Sequence, residues 1–246
     1  MRSFPLSALI LVLGLGLTAC GDKDDSSEPE GDTDTDTDTD TDTDSDSDSD
    51  SDGDIDLCGP WTGIQGPGAE WSYNFVDADL SGTVDNEIID YNAGTGLVSA
   101  ESLSVLVSAD YTITSTTTTD YRCDDDGYWI LGQYTEYSMD YSGTLYDGWS
   151  DSVYEPPALL LPFDIAVGDT WTTAYVGTTQ THVSDPSPFE STVYQEVIEE
   201  TVVTVPAGTY DTLYVEFTGD GQGFSNIARG VGQVKSNVTE LTSYEP

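Results

Sequence analysis

Leu103-Ser-Val-Leu-Val-Ser-Ala-Asp-Tyr-Thr-Ile113 is the stretch that decides the fold of this chain. Leu103, Val105, Val107, Ala109, Tyr111 and Ile113 recur at every second position. A β-strand sends successive side chains to opposite faces, whereas a helix would repeat its apolar face at three or four residues. The run exceeds an ordinary strand of about five or six residues. It therefore reads as two consecutive strands or one long bent one.

Working outward, the same texture continues in both directions. Trp71-Ser-Tyr-Asn-Phe-Val76 reads as the first strand, with Trp71, Tyr73 and Phe75 on one face, and residues 86–91 pair back on it as a hairpin. Asp124-Asp-Asp-Gly127 is a turn of the Asp-Gly kind between strands at 114–123 and 128–139. Further strands are expected at 171–182, 192–205, 209–218, 224–228 and 232–244, with Pro206-Ala207-Gly208 as a tight turn. Tyr154-Glu-Pro-Pro-Ala-Leu-Leu-Leu-Pro-Phe163 carries too many prolines for a central strand and is expected to be a crossover. No long window beyond the first 20 residues has helical period. The expected class is all-β or nearly so: a curved antiparallel sheet, half-barrel or barrel-like meander.

The N-terminus has a different character. Arg2 precedes an apolar run at residues 6–17, then small residues and a cysteine. This is a leader with the n-, h- and c-regions of secretion, too short to span a bilayer as a helix. Its ending, Leu17-Thr18-Ala19-Cys20, resembles the lipobox of bacterial lipoproteins. The resemblance implies cleavage before Cys20, a diacylglycerol thioether on its sulfur, and a membrane contact made by lipid. The alternative is an ordinary signal cut near Ala19 that leaves a free thiol. Gly21 follows Cys20, not the Asp that resembles an inner-membrane retention signal, so outer-membrane localisation is expected.

Residues 20–56 form an acidic segment built on Asp-Thr and Ser-Asp dipeptides, with no apolar side chain between Cys20 and Ile55. Such a sequence has nothing to bury against the entropy of ordering, so it reads as a solvated tether. A calcium sponge or an array of O-glycan acceptors are its alternatives. The 190 residues at 57–246 form one expected β domain, which contains all five Trp and all fifteen Tyr. The formal net charge is −42. That field repels nucleic acid and anionic headgroups, which excludes both as partners, and attracts cations and basic surfaces.

If Cys20 is lipidated, Cys58 and Cys123 remain in an oxidising compartment and are expected to pair; two separate thiols are the alternative. The bridge would close a loop of about 66 residues, worth on the order of 4 kcal/mol in the chain-entropy view.

Pro-Pro-Ala-Leu-Leu-Leu-Pro-Phe at 156–163, Val-Gly-Asp-Thr-Trp at 167–171, Val-Pro-Ala-Gly-Thr-Tyr-Asp-Thr-Leu at 205–213 and Ala-Arg-Gly-Val-Gly-Gln-Val-Lys at 228–235 form one succession. It resembles uncharacterised bacterial lipoproteins similar to the half-barrel superfamily of periplasmic lipoprotein carriers and lipid-binding lipoproteins. The resemblance implies a curved sheet with a concave binding face.

Candidate chemistry is sparse. His182 is the single histidine, and no Gly-x-Ser-x-Gly setting accompanies it, so hydrolase chemistry is a distant alternative. Phosphate-binding loops are missing and cations are scarce. Asp77-x-Asp79-x-Ser81-Gly82-Thr83-Val84-Asp85 spaces oxygens as a calcium loop does, with Glu87 one place before the usual bidentate position. The competing reading is an acidic hairpin turn in which Gly82 supplies a positive φ. Three functions follow as expectations: a non-enzymatic lipoprotein binding an apolar ligand or an envelope component, a structural or adhesive lipoprotein with a calcium-stabilised β domain, or an envelope enzyme. A large apolar cleft with few inward polar groups favours the first; a packed interior with clustered carboxylates favours the second.

Overall fold

Residues 58–246 are described by the computed structural model; the leader, Cys20 and the acidic segment lie outside the described residues. Twelve strands follow one another: β1 (Glu70–Asp77), β2 (Leu80–Asn92), β3 (Leu97–Val107), β4 (Tyr111–Asp124), β5 (Gly127–Tyr141) and β6 (Thr144–Pro162). Then come β7 (Thr170–Thr181), β8 (Ser184–Val205), β9 (Gly208–Gly219), β10 (Gly223–Ala228), β11 (Gly232–Ser236) and β12 (Thr239–Glu245). No helix occurs among the described residues.

Each strand pairs antiparallel with its sequence neighbours, and β1 pairs with β12 through Trp71↔Tyr244 and Phe75↔Thr239. The meander thus closes into a barrel, each strand hydrogen-bonded on both sides over at least part of its length. Short turns make this route available. Between β5 and β6 only Ser142 and Gly143 intervene, at φ 52° and 84°, the left-handed pair that matches the twist of a hairpin.

Three expectations are corrected. The proline-rich stretch is the second half of β6, not a crossover. Pro156 and Pro157 fall where the ladder to β5 is interrupted, between Gly132↔Val153 and Ile130↔Ala158. Beyond Tyr154, β6 no longer pairs with β7. Proline's missing N–H therefore costs no ladder bond at these positions. Residues 144–153, assigned to no strand by the sequence, form the first half of β6. The run at 232–244 splits into β11 and β12 at Asn237 and Val238.

Period two is present at 103–113, but the apolar set does not keep to one face. Leu103, Val105 and Val107 are exposed on the outside of β3, while Ser102, Ser104 and Leu106 point inward. After the 108–110 turn the phase reverses and Ile113 is buried. Inward hydroxyls join across strands: Ser104 to Ser115 at 2.7 Å, Thr117 to Thr135 at 3.0 Å and Ser152 to Thr179 at 3.0 Å. Pairing is what lets these polar groups sit inside.

Apolar clusters occupy the two ends. Phe75, Leu106 and Val238 pack at one. At the other, Ile64, Ile88, Val98 and Ala100 surround Cys58 and Cys123. Outward positions carry Asp85, Glu101, Glu136, Asp151, Glu196 and Glu216, all exposed. The outside of this barrel therefore lacks the continuous apolar band that a lipid-embedded barrel requires.

Candidate functional site

Because the strands alternate faces, β1 aims Trp71, Tyr73 and Phe75 into the barrel, and β7 aims Trp171, Thr173 and Tyr175. Tyr121 on β4 and Tyr128 on β5 meet them, stacked on one another with ring centroids 4.6 Å apart. Between them lies a cavity of about 240 Å³.

Its wall draws on nearly the whole circumference. Apolar surface comes from these rings and from Leu160, Val193, Val215, Phe217 and Ile227. Besides the tyrosine hydroxyls, polar groups are few: Thr62, Asn86, Gln195, Ser225, Gln233, Ser236 and Thr239. No charged side chain is among the described residues that line it. Most of the wall's polar groups are already engaged. Ser225 Oγ donates to Gln233 Oε1 at 3.0 Å, Gln233 Nε2 to Thr239 Oγ1 at 3.0 Å, and Tyr73 Oη to the Gln233 carbonyl at 2.8 Å.

Burial pushes the hydroxyl pKa of Tyr73, Tyr121, Tyr128 and Tyr175 above the ordinary tyrosine value, since a phenolate would lose its hydration there. Tyr154, beside Tyr175 with centroids 5.8 Å apart, is pushed up to about 12, mainly by the same desolvation. The cavity stays uncharged across the physiological range.

Residues 58–69 run across one end of this space. Trp61 and Ile64 line the cavity from there. Trp61 Nε1 donates to Asp164 Oδ1 at 3.1 Å, and the Arg229 guanidinium lies 4.7 Å from the Trp61 ring. Gly230 N donates to the Pro60 carbonyl at 2.6 Å. Tyr244 Oη reaches the carbonyls of Gly63 at 3.1 Å and Gly230 at 2.8 Å. Gly232 stands at φ 84°, and a Cβ there would lie 2.6 Å from the Thr62 carbonyl oxygen; only glycine lets the two backbones approach this closely. Cys58 and Cys123 are joined as a disulfide, Cα atoms 4.7 Å apart, which ties the segment to the end of β4.

One wall is built differently. The β6–β7 ladder stops at Tyr154↔Gly177. Below it, side chains from β7 take over. Trp171 Nε1 donates to the Leu160 carbonyl at 3.1 Å, and Thr173 Oγ1 to the Leu159 carbonyl at 2.6 Å.

The acidic loop is dispersed rather than gathered. Asp77 ends β1 and Asp79 is the second residue of the two-residue hairpin turn, while Ser81, Thr83, Asp85 and Glu87 follow one another along the outer face of β2. Alternate residues of a strand lie about 6.6 Å apart, so the last four span roughly 20 Å. Among the described residues no group of three or more His, Cys, Asp or Glu is placed to hold a metal ion. The positive φ of the turn belongs to Ala78, at 45°, and not to Gly82. Gly82 sits inside β2 against the Val105 carbonyl, where a Cβ would not fit. His182 is exposed at the β7–β8 turn, edge-on to Tyr137 with centroids 6.1 Å apart. It has no carboxylate partner among the described residues.

The sequence reading missed the cavity's polar residues altogether. Gln195 on β8 and Gln233 on β11 were given no role there, and only barrel closure brings them to one interior. No family model matches this chain, and no curated protein or solved structure is detectably similar to it.

Proposed function

We propose that this chain is a non-enzymatic lipoprotein of the bacterial outer membrane, anchored through lipid on Cys20, whose β domain holds a neutral, largely apolar small molecule inside the barrel. The observation that carries this reading is the cavity of about 240 Å³, walled by aromatic rings and lacking charged groups, in a chain of net charge −42. An interior so different from the acidic exterior suits a ligand that water holds poorly. A cavity of roughly 150 Å³ accommodates benzene, so this one suits a ligand of about ten non-hydrogen atoms. An anionic ligand would have to shed its hydration with no cation on the wall to replace it. The lone exposed His182 offers no nucleophile–base pair, which supports binding over catalysis.

Equilibrium dialysis of the full chain against naphthalene tests the reading. Saturable one-to-one binding is expected, abolished by Val215→Phe, which fills the space, in a variant whose far-ultraviolet circular dichroism is unchanged. Non-saturable uptake by the wild type, or equal binding by a folded Val215→Phe, overturns it.

A further inference from the structure

Gln195 is 8% exposed, on the inner face of β8, and it lines the cavity. Both ends of its amide lie near Thr173 Oγ1, with Oε1 at 3.2 Å and Nε2 at 3.1 Å. The Thr173 hydroxyl has a single proton. Two acceptors compete for it: the Leu159 carbonyl at 2.6 Å and Gln195 Oε1 at 3.2 Å. The shorter contact takes the proton. Thr173 then accepts from Gln195 Nε2 with its lone pair, and Gln195 Oε1 is left with no donor from any described residue. The other polar groups of the wall are mostly tied to one another, as in the chain from Ser225 through Gln233 to Thr239.

A buried acceptor without a donor is costly, and a ligand that supplies the donor recovers that cost on binding. We propose that the cavity selects neutral ring-bearing molecules that carry a hydroxyl, with the hydroxyl donating to Gln195 Oε1. This deepens the proposed function and rests on it. A site built to hydrogen-bond a hydroxyl discriminates against the analogue that lacks it more strongly than an apolar wall discriminates by size. An ionised carboxylate is doubly excluded: it brings no donor, and it would bring its charge against the amide oxygen.

The test compares naphthol, naphthalene, methoxynaphthalene and naphthoate at neutral pH, by equilibrium dialysis of the full chain. Naphthol should bind about tenfold more tightly than naphthalene, the worth of one hydrogen bond to an otherwise unpaired group. Methoxynaphthalene has an oxygen but no donor and should lose that advantage; naphthoate should not bind. Gln195→Met, close in shape and without the acceptor, should bind naphthol and naphthalene alike. The methoxy comparison needs no variant, so it decides the matter even if Gln195→Met does not fold. Naphthalene binding with no preference for naphthol overturns this inference and leaves the proposed function standing. Failure to bind any of the four overturns both.

Discussion

Thr173 Oγ1 donates to the backbone carbonyl of Leu159 across 2.6 Å, where β6 and β7 have ceased to exchange backbone hydrogen bonds. A side chain thus does what a ladder bond does elsewhere in the barrel. Thr173 is fully buried, so Thr173→Val keeps the shape and leaves a carbonyl and the Gln195 amide short of a partner. We expect a loss of about 1–3 kcal/mol, the cost of unsatisfied buried groups. Thr173→Ser should recover most of it. Urea unfolding of the three proteins measures this; a loss in the Ser variant with none in the Val variant would assign the role to the methyl group instead.

The Cys58–Cys123 link spans 65 positions and fixes residues 58–69 to the barrel end from one side. Non-reducing peptide mapping of protein from its native compartment should recover the two half-cystines joined. Reduction should lower stability by up to about 4 kcal/mol in the chain-entropy view. Hydrogen exchange at Gly230 N, which is bonded to Pro60, should accelerate before exchange in β3 and β4. Free thiols at both positions in the native protein would sink the assignment.

Much of the fold was legible because alternation and turn chemistry are local. Trp71, Tyr73 and Phe75 share an inner face as their spacing predicts, and Asp124 does organise the turn before Gly127, accepting from the backbone N–H of Asp126 and Gly127 at 3.1 Å each. Closure was not local. It depends on β1 meeting β12, strands separated by almost the whole domain. The run Thr114-Ser-Thr-Thr-Thr-Thr119 shows why the interior stayed hidden: hydroxyls occupy both faces, so composition cannot say which of Thr116 and Thr117 is inside. Register alone places Thr117 against Thr135. Leu103, Val105 and Val107 point outward for the same reason, since the phase of β3 follows its neighbours and not its own hydrophobicity. The prolines of β6 misled because their tolerance depends on a ladder ending at Tyr154, which no local pattern encodes.

In the proposed function, membrane attachment is assigned to Cys20. Cys20→Ser should leave an unprocessed leader and a protein that no longer partitions into the detergent phase as a lipidated chain. Metabolic labelling with a fatty-acid analogue should mark the wild type alone. Correct cleavage together with undiminished detergent partitioning in the variant would place the anchor elsewhere.

The buried tyrosines predict how the barrel fails in alkali. Tyr73, Tyr121, Tyr128, Tyr154 and Tyr175 all have hydroxyl pKa values raised by burial above the ordinary 10.0. Between that value and the higher folded-state values, the unfolded chain gives up protons that the folded chain retains. The unfolded state then binds fewer protons, so stability falls as pH rises. The contribution is fully present below pH 10.0 and is progressively lost above it, through about 12 for Tyr154. Because Tyr73, Tyr121, Tyr128 and Tyr175 line one cavity and Tyr154 packs beside Tyr175, ionising any of them places a charge in surroundings without a cation, so the losses should arrive together. Tyrosinate absorbance and far-ultraviolet circular dichroism, followed on one alkaline titration, should therefore show the buried set ionising in a steep step that coincides with loss of strand signal. Tyr175→Phe, which removes one of the linked protons, should make that step less steep. Ionisation of every tyrosine in a single non-cooperative phase, with the strand signal unchanged, would contradict the burial of these five hydroxyls.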